Sequence, residues 1–194
     1  RLMIRQNNLF RRNGMTSFPY LAQLVTENPA MLLYLNGLES EKGAPNENYA
    51  RELMELFTLG HGSGYTERDV REQARALTGW RNSWGETLGP YKFRYDKRRH
   101  DAGSKHIFGK RGHFDWRDSC RLCVHHRQHP SFFVNKLWGY FIPVPPKTGT
   151  RRSLQRIYVR SGYKVEPVLE AILLHPALYT GPRMVKPPAV YLAG

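Results

Sequence analysis

Between Asn46 and Trp80 the apolar residues recur at helical spacing on both sides of a glycine-rich break, which constrains the fold more than any other stretch. Tyr49, Leu53, Leu56 and Phe57 take the i, i+4, i+7 and i+8 positions of one buried stripe. Val70, Ala74 and Leu77 make a second stripe. Gly60 is placed to end the first helix in a left-handed conformation, and Gly62 and Gly64 keep the turn unhindered. Thr66 offers an N-cap oxygen to the second helix, with Asp69 completing a near capping box, and Gly79 closes it. The block predicts a helical hairpin with ordered polar rows. Asn48, Glu52 and Glu55 share one face, and Arg51 stands four residues before Glu55.

The flanks predict more helix. Residues 1–13 form one helix, Ser17 opens another with Pro19 in its first turn, and Asn28-Pro29 starts a third that ends near Asn36-Gly37. Past Trp80 the alternation Tyr91-Lys92-Phe93-Arg94-Tyr95 predicts a half-buried strand, paired with Ser104–Phe108 across Asp96–Gly103. Asp115–Arg127, Pro130–Phe141, Leu154–Ser161 and Glu166–Leu174 return to helix, with a proline connector at Pro143, Pro145 and Pro146. The expected fold is mainly α: a multi-helix orthogonal bundle forming a single domain over 1–194, with residues 81–112 as a loop or small β-hairpin insertion.

Charge is unevenly placed. Residues 1–60 carry six Lys/Arg against six Asp/Glu, residues 61–127 fifteen against eight, and residues 128–194 nine against two, for a net +14. The later two-thirds therefore suit an anionic partner. Two cysteines, Cys120 and Cys123, make no disulfide framework. No apolar run approaches the ~20 residues of a membrane span. The chain opens without Met or a leader-like segment, and both ends read as cut from a longer protein.

The block Asn46-Glu47-Asn48-Tyr49-Ala50-Arg51-Glu52-Leu53, with Glu55-Leu56-Phe57-Thr58-Leu59-Gly60, Tyr65-Thr66, Asp69-Val70 and Ala74-Arg75-Ala76-Leu77-Thr78-Gly79-Trp80, resembles the bacterial family catalogued as domain of unknown function 1800. Pro29-Ala30-Met31-Leu32, His100-Asp101-Ala102-Gly103-Ser104-Lys105 with Gly109, Lys136-Leu137-Trp138 and Val185-Lys186-Pro187 extend the likeness along nearly the whole chain. The resemblance implies the carboxyl-terminal half of a larger helical protein. It also implies export to the periplasm or the extracellular space, and a companion protein resembling sulfatases. It implies no activity. Cys120, Cys123, His125 and His126 depart from a family pattern that is mostly aliphatic there.

Glu52 and Glu55, one helical turn apart, have Cβ atoms ~5–6 Å apart. Carboxylates so close raise one another's pKa, which suits an acid and a base at neutral pH or a hard metal. The structural alternative is an ion network with Arg51, Arg71 and Arg75. His100 and Asp101, in the predicted loop, suit proton transfer or metal ligation, or an Asx-turn. Glu52, Glu55, His100 and Asp101 are thus the candidate catalytic set and the candidate ligands of a divalent metal. Asn48, Arg51, Arg75 and Lys105 are the candidate substrate contacts. Cys120, Cys123, His125, His126 and His129 hold enough ligands for zinc, with His125 and His129 on one helical face, against the reading of buried helix thiols. Lys97-Arg98-Arg99, Lys110-Arg111, Arg151-Arg152 and Arg156/Arg160, with Tyr91, Phe93, Tyr95 and Tyr158 among them, would grip nucleic acid or form a solvated face.

Three functions fit. One is a carboxylate- or metal-assisted hydrolase of a polysaccharide or other anionic polymer. Another is a non-catalytic basic module that binds nucleic acid or an acidic envelope polymer. The last is a structural partner of the sulfatase-like companion.

Overall fold

The computed structural model describes residues 1–62 and 64–184. It is mainly helical, with two small two-stranded antiparallel sheets among the described residues. The chain divides into two compact units, Arg1–His129 and Pro130–Gly194. The family-like segment Val185-Lys186-Pro187 lies outside the described residues.

The first unit opens with α1 (Leu2–Asn13), α2 (Phe18–Thr26) and α3 (Pro29–Tyr34). Pro19 lies in the first turn of α2, and the Asn28 side chain caps α3 by accepting from the Ala30 N–H at 3.0 Å. The central hairpin follows as α4 (Asn48–Glu52), a wide turn over Leu53–Thr58, and α5 (Glu67–Ala76). Both halves of the expected capping box are present at Thr66 and Asp69, and Gly60 ends the first arm at φ +90°. Around this hairpin gather Leu32, Leu35, Tyr49, Ala50, Leu53, Met54, Val70, Ala74 and Leu77, with Trp80 and Trp116.

One expected stripe is corrected. Leu56 is 53% exposed, whereas Met54 is fully buried. Leu53–Thr58 is a π-helix, and the Leu59 N–H reaches back five residues to Met54 O at 2.7 Å. The wider turn rotates the downstream residues relative to a 3.6-residue period, so Met54 and Thr58 face inward in place of Leu56.

The strand pairing is also corrected. β1 (Trp80–Gly85) and β2 (Gly89–Tyr95) pair with each other, Trp80 opposite Tyr95 and Arg81 opposite Arg94. The partner predicted for β2 instead forms β3 (Lys105–Ile107), which pairs with β4 (Lys110–Gly112). The two-residue turn between them has Phe108 at φ +49° and Gly109 at φ +77°, the signs of a type I′ hairpin turn. A local two-residue closure is entropically easier than the longer expected loop.

The helix expected over Asp115–Arg127 is α6 (Trp116–Val124), which packs against α2 and stops before His125. Trp116 lies against Trp80 with ring centroids 5.3 Å apart.

The second unit holds most of α7 (His129–Phe141), then α8 (Thr148–Arg160), α9 (Glu166–Leu173) and α10 (Ala177–Thr180). α8 begins six residues before the expected Leu154 and stops at Arg160, just ahead of Gly162 at φ +71°. Phe133 stacks on Tyr158 at 4.2 Å, and the Trp138 indole donates to Val144 O at 2.7 Å, tying the proline connector to α7. No helix among the described residues is long and apolar enough to cross a membrane.

Candidate functional site

The polar residues of the central block resolve into two ion clusters. In the first, Arg51 extends from α4 to α5. Its guanidinium holds Glu67 through both nitrogens, at 3.0 and 2.8 Å, and also meets Glu47 at 3.2 Å and Glu55 at 3.5 Å. Glu55 receives His61, from the glycine turn, at 3.1 Å. The expectation that neighbouring carboxylates raise the Glu55 pKa is overturned. His61 foremost, then Tyr65 and Arg51, hold it below the ordinary range despite the opposing effect of burial. Glu55 is therefore an ionised acceptor at neutral pH, not a proton donor. The Glu52 side chain makes no hydrogen bond or ion pair among the described residues, and Asn48 is exposed.

The second cluster is built on α5 and the loop before β3. Arg75 clamps Asp101 through Nε at 2.7 Å and Nη2 at 3.2 Å, while Nη1 takes Glu72 at 2.9 Å and Ser104 O at 3.2 Å. This bidentate contact is the main reason Asp101 lies below the usual carboxylate range. Asp101 also accepts the Gly103 N–H at 2.9 Å, so the Asx-turn reading of this loop is realised. Thr78 locks the loop from beneath: its hydroxyl accepts the Asp101 N–H at 2.8 Å, and its carbonyl lies 3.1 Å from His100 Nδ1. A carbonyl only accepts, so Nδ1 carries the proton. Burial foremost pushes the His100 pKa down, and the ring rests 5.7 Å from Tyr95.

Lys105 is 1% exposed, and its ammonium donates to the carbonyls of Asp101 and Gly103. Its charge holds the loop and does not face solvent. Likewise Arg75 is already occupied by its two carboxylates, and the ion network expected around Glu52 and Glu55 draws in Arg51 but not Arg75. Arg75→Met, which would leave Asp101 and Glu72 as uncompensated half-buried neighbours, is expected to cost roughly 2 kcal/mol in urea unfolding. Arg71→Met, at an exposed site, should cost less than about 0.5 kcal/mol by the same measurement.

Glu55 is thus joined to Arg51, and His100 with Asp101 to Thr78 and Arg75. No hydrogen bond or ion pair among the described residues links Glu52 or Glu55 to His100 or Asp101. No group of three or more His, Cys, Asp or Glu side chains among the described residues is placed to hold a metal ion. The expected zinc set is dispersed for a local reason: the chain leaves helix after Val124, so His125 and His129 do not share a helical face. Cys120 and Cys123 are buried thiols. Burial raises both pKa values, that of Cys120 to about 12, and Thr26 and Gln73 bond them at 3.1 and 3.0 Å.

Three contributors escape a reading of the sequence. His61 sits in a turn that the glycines make look like a spacer, and Thr78 looks like the tail of a helix. The third is a pocket lined by Phe108, Lys110, His125, His126 and Arg127, assembled from segments with no common motif. The adjacent Lys110 and the His-His-Arg run are the only signals of it in the sequence.

No curated protein and no solved structure matches this chain. The profile of the family described as "Protein of unknown function (DUF1800)" matches residues 1–194, and the chain belongs to that family.

Proposed function

We propose that this protein is a binding module for an acidic polymer, and that the polymer lies along the β1–β2 hairpin. The observation that carries this reading is a concentration of unneutralised cations and exposed aromatic surface at one bulged hairpin. The register shifts between Arg81 and Ser83, and Lys92 on the facing strand takes φ +51°. A left-handed lysine costs about 1–2 kcal/mol, and bulges of this kind re-aim side chains near functional surfaces. Arg81 and Arg94 stand directly opposite one another, an arrangement of like charges that disfavours pairing. Asp96 compensates Arg81 at 2.9 Å, while Lys92, Arg94, Lys97 and Arg98 are all exposed. Trp84, 71% exposed, stands on one face of the hairpin and Tyr91, with the Lys92 ammonium 5.7 Å from its ring centre, on the other, and each offers a ring on which sugars or bases can stack.

The hydrolase reading has weaker support. Glu55, through His61 foremost, and Asp101, through Arg75, are both held below the usual carboxylate range, so neither is suited to be the acid partner that two-carboxylate hydrolysis requires. The exported location that the family resemblance implies favours an envelope or secreted polysaccharide over nucleic acid.

Titration with an acidic polysaccharide, a neutral polysaccharide and duplex DNA at several salt concentrations tests the proposal. Affinity for the acidic polysaccharide should fall steeply with salt, and Lys92→Gln or Arg94→Gln should each lower the log–log slope by about one. Trp84→Ala should weaken binding by about 1–3 kcal/mol and leave that slope unchanged. Equal affinity for the neutral polymer, or wild-type binding by all three variants, would refute it. Tighter binding of DNA would reassign the partner.

A further inference from the structure

A second basic surface shares no lining residue with the β1–β2 hairpin, and it is concave. The pocket has a volume of about 390 Å³ and opens between Gly64, the β3–β4 turn and the chain after α6. Lys110 and Arg127 stand on it, and neither side chain makes a hydrogen bond or ion pair with a described residue. Phe108 and Leu122 supply an apolar wall, and no carboxylate lines the pocket among the described residues. The geometry points to a binding site for a phosphate or sulfate monoester, its oxyanion held by Lys110 and Arg127 and its organic body lying against Phe108 and Leu122.

The pocket is built, and does not merely result from two surface cations lying near one another. Phe108 is held at φ +49°, a conformation disfavoured for a bulky residue, by its N–H bond to the buried Asp69 at 2.7 Å. Its ring is thereby placed 4.8 Å from that of His126. On the other side, a Cβ at Gly64 would lie 3.0 Å from His126 Cε1, so a residue with φ +77° and no side chain lets the loop close on the imidazole. His126 Nδ1 accepts from the Gln128 N–H at 3.3 Å, which fixes the ring's orientation.

Charge also favours an anion. Lys110 and Arg127 supply the basic side chains, and His125 lies beside them. Against them stand Asp69 and the carboxyl end of α6, which carries about half a negative charge. The Asp69 oxygens are already taken by the Thr66 N–H and hydroxyl, at 2.8 and 2.7 Å, and by Phe108. His126 faces Asp69, Lys110 and Arg127, with His129 buried behind. Burial foremost, then Arg127, keeps it below its ordinary pKa, so the imidazole is uncharged at neutral pH. A bound anion, singly charged for a sulfate ester and up to doubly charged for a phosphate ester, would favour the imidazolium and raise that pKa. The volume exceeds what a bare oxyanion fills and matches the size of small organic ligand sites.

Proton NMR of the His126 ring, at constant ionic strength, tests this on the whole chain. The probes are phenyl phosphate, phenyl sulfate, inorganic phosphate and, as control, chloride. The two esters should bind saturably and raise the His126 pKa by about half a unit or more. They should bind about tenfold more tightly than inorganic phosphate, since part of the ring is buried. Lys110→Gln should weaken ester binding about tenfold and the double variant Lys110→Gln/Arg127→Gln should abolish it. Trp84→Ala should leave it unchanged, which separates this site from the polymer face. Non-saturating shifts, or shifts that persist in the double variant, would overturn the site. Inorganic phosphate binding as tightly as the esters would overturn the monoester assignment.

Discussion

Gly79→Ala should lower stability by roughly 3 kcal/mol, or about 10 °C in Tm. Two effects add. Gly79 has φ +113°, where any Cβ is strained, and that Cβ would lie 2.9 Å from Tyr95 Cε2, 3.1 Å from His100 Cβ and 3.2 Å from the Asp96 carbonyl oxygen. The backbone there cannot yield easily. The Gly79 N–H bonds Ser40 O at 3.1 Å, and its carbonyl accepts from Asp96 N at 2.8 Å. Gly43→Ala is the control. Its φ is +89° but no atom stands within 4 Å of the added carbon, so it should cost only about 1 kcal/mol. Thermal melts of both variants check this, and a Gly79→Ala Tm no lower than that of Gly43→Ala would show that the close packing of strand, loop and helix end is not tight.

The second large effect is on acid stability. His129 is fully buried and donates from Nδ1 to Thr58 O at 2.8 Å, a carbonyl at the end of the wide turn. Burial foremost drives its pKa down to about 4. The folded state thus binds its proton later than the unfolded chain, whose histidine titrates near 6.5. Between those two values the unfolded state holds more protons, so stability falls as pH falls. The loss should reach roughly 2 kcal/mol by pH 5 and 3 kcal/mol by pH 4. His100 and His126, also pushed down by burial, act with the same sign. Depressed carboxyls such as Glu55 and Asp101 contribute at lower pH, where stability present above the unfolded pKa is lost as they protonate. His129→Asn retains a donor near the Nδ1 position and removes the titration. Urea unfolding of this variant between pH 7 and 5 should lose about 2 kcal/mol less than the parent. An unchanged pH dependence would remove His129 as the acid-sensitive group.

The helices were legible because their signals are local. Asn28-Pro29, Thr66 with Asp69, and Gly60 each act within a turn or two, and each is found in the role its chemistry predicts, whereas α5 stops at Ala76 with Leu77 as its cap and Gly79 bonds Ser40 instead of closing the helix. Strand pairing was not, because it joins segments through space. Tyr91–Tyr95 reads correctly as a strand, but of its partners Trp80 reads as the tail of the central block and Arg81 as the first residue of an insertion, with no strand signal at either. The candidate residues divide on the same ground. The link from Arg51 to Glu55 follows from one helical turn. The links from Arg75 to Asp101 and from Thr78 to His100 cross more than twenty residues, and only the folded loop reveals them. Periodicity can state which side chains share a face, but not which distant group arrives to neutralise them.

The π-helical segment at Leu53–Thr58 carries a broader implication. A single supernumerary residue there works like a gear tooth: upstream and downstream arms of the same rod engage different neighbours, and neither arm's own pattern discloses the slip. Removing one residue from that segment would swing everything beyond it by about a hundred degrees around the rod while leaving the cap at Thr66 and Asp69 intact, so the second arm would present a different side to the same neighbours.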